Sequence, residues 1–363
     1  MLCDRAPTLR RKCLSPRVAI VSTPRTLADS TTLRIGGPAA AWVVARTESE
    51  LVLAITQADA EGIPVLLLGG GSNLLVSDEG FPGTVVEIAT RGLAADTDES
   101  GATVTLAAGE DWDSVLAHLV TRGWAGVEAL GGIPGRAGAT AIQNVGAYGQ
   151  EVSQVVHSVR VLDRTTGAVR RLDNAACGFG YRTSVFKRDP ARWVVLSVSM
   201  RLISGGRGIV RYAELAQEMG ISVGDEASLA DIRAAVLVLR GRKGMVLDEA
   251  DHDTWSAGSF FTNPIVAQEV ADTIPAACPR YPAVDGVKLS AAWLIENAGI
   301  AKGYAVAADS RAAISGKHTL ALTNRGGAQA TDILELANAV TARVQEAFGI
   351  ELDIEPTLVG LER

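Results

Sequence analysis

Five stretches of the chain combine bare backbone or reactive side chains in ways that packing alone does not require. The first is Val65-Leu-Leu-Leu-Gly-Gly-Gly-Ser-Asn-Leu-Leu-Val76, where three glycines and Ser72-Asn73 separate two apolar runs. Amides stripped of side chains can approach a phosphate closely. Yet Gly69, Gly70 and Gly71 fit neither common fingerprint, because no G-x-G-x-x-G is present and no G-K-[ST] ends the turn. The second stretch, residues 126–150, is dense in glycine and small residues but carries Ile133, Ile142, Val145 and Tyr148. That mixture suits an ordered platform for a flat ring better than a flexible linker. The other three supply a cation, Arg182 in Gly180-Tyr-Arg-Thr-Ser-Val-Phe-Lys187, a hydroxyl, Ser259 in Ala257-Gly-Ser-Phe-Phe-Thr-Asn-Pro264, and a carboxylate, Glu355 in Ile354-Glu-Pro356. Brought together, these groups would make an active site. Taken singly, each has a plainer reading: a tight corner, a structural cation, a strand-edge hydroxyl, and one polar position in the alternating run Ile350-Glu-Leu-Asp-Ile-Glu355.

Other chemistries find less support. Ser315-Gly-Lys-His-Thr319 resembles a nucleotide loop, but it lacks the upstream glycine and places His318 where Ser or Thr belongs. His118, His157, His252 and His318 stand far apart with no H-E-x-x-H, so no metal is expected. Cys3, Cys13, Cys177 and Cys278 show no C-x-x-C pairing, and so few thiols suit a reducing, cytoplasmic compartment. The formal charge of −7 argues against nucleic acid as a partner, although a local basic patch could hold a phosphorylated small molecule. With 47% hydrophobic and 21% charged residues, no run reaches the roughly 20 apolar residues of a membrane span. Residues 1–25 open on a basic segment without an apolar signal core and are expected to be a disordered extension.

The elements that must position these groups can be read from periodicity. Ala41–Arg46 has strand composition, Thr47 and Glu50 make a capping box, and Leu51, Ile55 and Ala58 share one helical face that Gly62 ends. Ile63–Leu68 then completes a β-α-β unit that delivers the glycine turn. Strands are expected at 84–88 and 103–109, a helix at 112–122, a hairpin at 155–163 and 168–172, and a strand at 192–202. A second capping box, Ser228 with Asp231, starts a helix that stops near Arg240-Gly-Arg-Lys-Gly244, where a domain boundary is placed. The last third reads as a strand at 260–266, a helix at 289–297, a strand at 319–323, a long amphipathic helix using Ile333, Leu336, Val340, Val344 and Phe348, and a final strand at 350–355. The class is α+β with several domains, as 363 residues would require.

Eight collinear motifs then resemble one family, the UDP-N-acetylenolpyruvoylglucosamine reductases: Thr32-Leu-Arg-Ile-Gly-Gly37, Gly69-Gly-Gly-Ser-Asn-Leu-Leu75, Gly132-Ile-Pro-Gly135, Gln143-Asn-Val-Gly-Ala-Tyr-Gly149, Gly180-Tyr-Arg182, Gly258-Ser-Phe-Phe261, Lys288-Leu-Ser-Ala-Ala-Trp-Leu-Ile295 and Ile354-Glu-Pro356. The resemblance runs from about Thr31 to Gly360. It implies a two-domain FAD-binding module of the PCMH type, residues 26–89 and 90–243, followed by a smaller α+β substrate-binding domain, residues 244–352, with 353–363 returning to the first. FAD would be held noncovalently by Gly69, Gly70, Gly71, Ser72, Asn73, Ile133, Pro134, Gly135, Gly138 and Gly146, with Arg240 and Gly36 as further contacts.

The reaction implied is NADPH-dependent reduction of UDP-N-acetylglucosamine enolpyruvate to UDP-N-acetylmuramate, a step of peptidoglycan precursor synthesis. The family's catalytic roles fall on Arg182, Ser259 and Glu355. Hydride reaching the terminal carbon pushes charge onto the substrate carboxylate, which Arg182 and a protonated Glu355 would stabilise while Ser259 gives a proton to the adjacent carbon. Arg280-Tyr-Pro282 ahead of Asp285-Gly-Val-Lys288 matches the family form with a tyrosine loop, so Tyr281 would close over the UDP part. Tyr181, Tyr212, Lys243 and Asn263 are the other expected substrate contacts. The partners are then small molecules, a UDP-sugar and NADPH, and the chain could act as a monomer.

Overall fold

The computed structural model describes residues 25–362; the extension expected over residues 1–25 lies, except for Arg25, outside them. The chain first builds a three-stranded parallel sheet in the order Ala39–Ala45, Phe81–Ile88, Val65–Leu68. The helix Glu48–Glu61 connects the two outer strands. Its Thr47–Glu50 capping box is formed in both directions, and Gly62 caps it at φ +67°. Leu51, Ala54 and Ile55 on its buried face pack between this sheet and Leu162, Val194 and Leu196 of the next one. The β-α-β unit expected from sequence is therefore real, but the later strand Phe81–Ile88 is inserted between its two strands.

The next unit is a six-stranded antiparallel sheet. Ala168–Asp173, Val156–Asp163, Trp193–Ser204, Gly101–Ala107 and Leu93–Asp98 follow one another across it, and Trp124–Ala125 adds to Trp193–Ser204. The helix Trp112–Thr121 lays Trp112, Val115, Leu116 and Leu119 on its inner face. Within the glycine-rich 126–150 stretch sits a short helix, Ala137–Ile142, that the sequence reading treats as loop. Its residues are small because it touches the sheet backbone: Gly138 N donates to Ala108 O at 2.9 Å, and a Cβ on Gly138 would fall 2.6 Å from the Ala108 Cβ. The helix Leu229–Arg242 follows, with the Ser228 hydroxyl capping Asp231 N.

The last third is built around the helix Ala330–Phe348, whose Ile333, Leu336, Ala337, Val340 and Val344 are buried. Its core also takes Leu33, Ile35 and Leu75 from the start of the chain, so the first and last parts share packing. Three expected strands differ, and of the 319–323 run only Leu322 and Thr323 pair, within the strand Leu322–Asn324. Only Ile265 and Val266 of the 260–266 run join a ladder. The run 350–355 forms no strand, only an isolated Phe261–Ile354 bridge, because Pro356 has no N–H to extend the pairing. Instead Thr357–Val359 pairs in parallel with Leu74–Val76, directly after the glycine turn. The tyrosine loop is a hairpin, Arg280–Ala283 with Gly286–Leu289, so Leu289 ends a strand and the helix after it starts at Ala291. Gly286 is required there: φ is +142° and a Cβ would sit 2.2 Å from Val266 O.

Candidate active site

The glycine turn and the 133–138 segment are pressed together. A Cβ on Gly70 would fall 2.6 Å from Gly135 Cα, and one on Gly71 (φ +62°) would fall 1.8 Å from Ser30 O. The Ser72 hydroxyl donates to Pro134 O at 3.0 Å, which ties the two loops across the gap. Gly69 differs, since its Cβ would meet nothing closer than Arg136 Cγ at 3.5 Å, an ordinary contact. Two of the glycines are thus demanded by the protein's own backbone, and the third leaves one face of the turn free. Ile133 packs partly against the antiparallel sheet's core.

Arg182, Ser259 and Glu355 come together beside this turn. Arg182 adopts φ +52°, a left-handed conformation that costs a non-glycine residue free energy and that clusters at functional sites. Its Nη2 donates to Gly146 O at 2.7 Å, its Nη1 reaches Asn144 O at 3.4 Å, and its Nε lies 3.6 Å from Glu355 Oε1. Gly146 therefore supports Arg182; a Cβ there would sit 3.3 Å from Nη1. The Glu355 side chain is only 11% exposed, and burial pushes its carboxyl pKa up against the opposing pull of Arg182 and Lys187. That environment favours the neutral acid. Glu355 N donates to Phe260 O at 2.9 Å, which ties the Glu355 backbone to the residue after the half-buried Ser259. Among the described residues the Ser259 hydroxyl has no hydrogen-bond partner, so it is available to a ligand.

Around this trio, Tyr181 and Asn263 meet directly: Asn263 N donates to the Tyr181 hydroxyl at 3.3 Å. Lys288 Nζ stands 4.3 Å from the Tyr181 ring centroid and 5.8 Å from that of Tyr281, so the hairpin leans over the same opening. Tyr212 packs edge-on to Tyr148 at 5.6 Å. Lys243 pairs with Glu214 at 2.6 Å and faces the Tyr148 ring at 5.7 Å. Arg240 is 8% exposed, donates from Nη2 to Met245 O at 2.9 Å, and among the described residues has no carboxylate partner. Its Nε and the Thr32 hydroxyl are buried and unpaired among the described residues, and both residues line one small cavity with Pro134, Met245 and Gly258.

Residues 39–173 match the profile described as an FAD binding domain, and residues 249–359 match the C-terminal domain of UDP-N-acetylenolpyruvoylglucosamine reductase. Proteins of that name from Saccharopolyspora erythraea and Nocardia farcinica are 53% and 51% identical to this chain; the alignments cover 92% and 97% of it and 94% and 93% of theirs. The crystal structure of the Thermus caldophilus reductase superposes with a TM-score of 0.61 at 28% identity, covering 94% of this chain and 99% of that one. The chain belongs to the UDP-N-acetylenolpyruvoylglucosamine reductase family. It is an oxidoreductase with an FAD-binding domain and the reductase C-terminal domain. The residues present fit FAD on two counts: the side-chain-free turn braced by Ser72, and the buried Arg240 Nε and Thr32 hydroxyl, unpaired among the described residues, which call for an anionic or electron-rich group.

In this reductase several residues near the site escaped the sequence reading as site residues. Tyr148, at φ +47°, carries a hydroxyl whose pKa burial raises to about 12. Lys187 is partly desolvated, which lowers its pKa, and it faces Glu355 and Arg182. His318, in the rejected Ser-Gly-Lys-His string, is held by the Ser315 hydroxyl, which accepts from His318 N at 3.2 Å. Its Nδ1 accepts from Leu320 N at 3.1 Å, and burial with Lys243, Lys302 and Arg240 nearby lowers its pKa to about 4. The ring is thus a neutral Nε2–H donor at physiological pH. Among the described residues no group of three or more His, Cys, Asp or Glu could hold a metal, and no helix is long and apolar enough to cross a membrane.

Proposed function

We propose that the chain reduces UDP-N-acetylglucosamine enolpyruvate to UDP-N-acetylmuramate with NADPH as electron donor, a cytoplasmic step in peptidoglycan precursor synthesis. The observation that carries this reading is the Arg182–Glu355 pair at 3.6 Å, with the Ser259 hydroxyl, unpartnered among the described residues, on the segment whose Phe260 carbonyl accepts from Glu355 N. Bound FAD would supply the hydride, passing it from the nicotinamide to the terminal carbon of the enolpyruvyl group. Gly69, Gly70, Gly71, Ser72, Ile133, Pro134, Gly135, Gly138 and Arg240 would hold it noncovalently, and neither cradle loop contains a His or Cys.

The rest of the chemistry belongs to side chains. Arg182 and neutral Glu355 bind the substrate carboxylate, where negative charge grows as hydride adds; a fixed cation and a fixed donor stabilise that charge without reorganising. Ser259 gives its proton to the adjacent carbon, and hydride plus proton saturate the double bond. Glu355 must keep its proton for this, which its burial favours. Tyr181, Asn263, Tyr212, Lys243 and Tyr281 would hold the UDP part, with Lys243 exchanging Glu214 for a phosphate. We assign residues 26–89 and 90–243 to FAD binding and 244–352 to substrate binding, with the last strand returning to the first part.

The test is steady-state NADPH oxidation by purified holoprotein. Oxidation that requires the enolpyruvyl substrate and yields UDP-N-acetylmuramate supports the reading. Oxidation that instead tracks oxygen consumption and ignores the substrate would make the protein an oxidase.

A further inference from the structure

The glycine turn ends on a residue whose side chain is engaged by the protein itself. Asn73 Nδ2 donates to Gln143 Oε1 at 2.8 Å and approaches Glu355 O at 3.4 Å. Its own carbonyl accepts from Thr357 N at 3.0 Å, the first bond of the parallel pairing between Leu74–Val76 and Thr357–Val359. Glu355 is therefore bracketed by Asn73: the amide reaches the carbonyl of Glu355, and the backbone holds the residue two places on. On its other edge Glu355 N is bound to Phe260 O at 2.9 Å, next to Ser259. Pro356 sits between the two anchors and brings no N–H of its own, so it adds no backbone hydrogen bond to hold Glu355. Gln143 ends the short helix Ala137–Ile142, and the residue after it, Asn144, offers its carbonyl to Arg182. One amide thus joins the loop that orients Arg182 to the segment that carries Glu355.

We propose that Asn73 is a positioning residue that fixes Glu355 against Arg182, and that it acts in the transfer from flavin to substrate rather than in flavin retention. This rests on the functional reading above. The glycines and Ser72 are the cradle; Asn73 is the link between that cradle and the catalytic carboxyl. A carboxyl displaced by about 1 Å loses on the order of 100-fold in rate, whereas a lost flavin contact shows as weaker flavin binding.

The experiment compares wild type, Asn73→Asp, Asn73→Ala and Gln143→Leu. Asn73→Asp keeps the shape but turns an acceptor, in place of the donor, toward the two acceptors Gln143 Oε1 and Glu355 O; Gln143→Leu removes the partner without touching the glycine turn. Each holoprotein is examined for flavin dissociation constant, visible spectrum, anaerobic flavin reduction by NADPH, and reoxidation by the enolpyruvyl substrate across pH. Expected are flavin affinity within about threefold of wild type, normal reduction, and reoxidation slowed roughly 10- to 100-fold. The alkaline limb of reoxidation should also move to lower pH, as a loosened Glu355 meets water and surrenders its proton more readily. Loss of flavin from the Asn73 variants while Gln143→Leu reoxidises normally would overturn the proposal, as would reoxidation at wild-type speed in all three. A wild-type protein that fails in either half-reaction overturns the functional reading instead, so the two failures are separate.

Discussion

The glycine turn makes two different demands, and alanine at neighbouring positions separates them. In Gly70→Ala the new Cβ would lie 2.6 Å from Gly135 Cα, a backbone atom that cannot step aside. Ordinary contact begins near 3.4 Å, so the two loops must part by most of an ångström. Such overpacking costs about 1–3 kcal/mol. If the strain falls on the loops that enclose FAD, each 1.4 kcal/mol is tenfold in affinity, and the dissociation constant should rise roughly 5- to 150-fold. The apoprotein should also melt lower. In Gly69→Ala the Cβ would meet only Arg136 Cγ at 3.5 Å, so the apoprotein should keep its stability. Any loss of FAD affinity in that variant then reports the flavin itself pressing on the turn. Flavin titration followed by fluorescence quenching, alongside apoprotein melting, reads both terms. The reasoning is refuted if Gly70→Ala binds FAD and melts as wild type, or if Gly69→Ala destabilises the apoprotein as much as Gly70→Ala does.

Ser259→Ala should retain bound flavin and normal reduction by NADPH, while turnover falls roughly 100- to 10,000-fold with little change in substrate KM; single-turnover reoxidation checks it. His318 should make the fold acid-sensitive. Its pKa, lowered from 6.5 to about 4 by burial and three nearby cations, means that the unfolded chain binds a proton the folded chain refuses. Stability therefore falls as pH drops through that window, by roughly 3 kcal/mol when fully developed. His318→Gln should flatten the dependence of Tm on pH between 6.5 and 4.

Local signals in the sequence were the legible ones. The Thr47–Glu50 box and Gly62 bound their helix because capping and a left-handed stop are short-range chemistry. The long helix Ala330–Phe348 shows its buried face at helical spacing. The helix Ala137–Ile142 stayed hidden because glycine, alanine and threonine carry no apolar period; its small residues record a close approach to Ala108, which only the fold reveals. Strand order could not be read either, since the insertion of Phe81–Ile88 between two earlier strands is decided by packing across the sheet. Glu355 is the sharpest contrast. Alternation would expose it, whereas Pro356 breaks the strand and the side chain turns inward beside Arg182. Lys187 and His318 gained their relevance only through neighbours distant in sequence.

The central claim is that bound FAD would deliver hydride to an enolpyruvyl group while Ser259 gives the proton and Arg182 and Glu355 stabilise the charge on its carboxylate. Anaerobic stopped-flow absorbance of the holoprotein tests it most directly. NADPH should bleach the flavin band, and UDP-N-acetylglucosamine enolpyruvate, added next without oxygen, should restore it with stoichiometric formation of UDP-N-acetylmuramate. A flavin that stays reduced until oxygen is admitted would contradict the account.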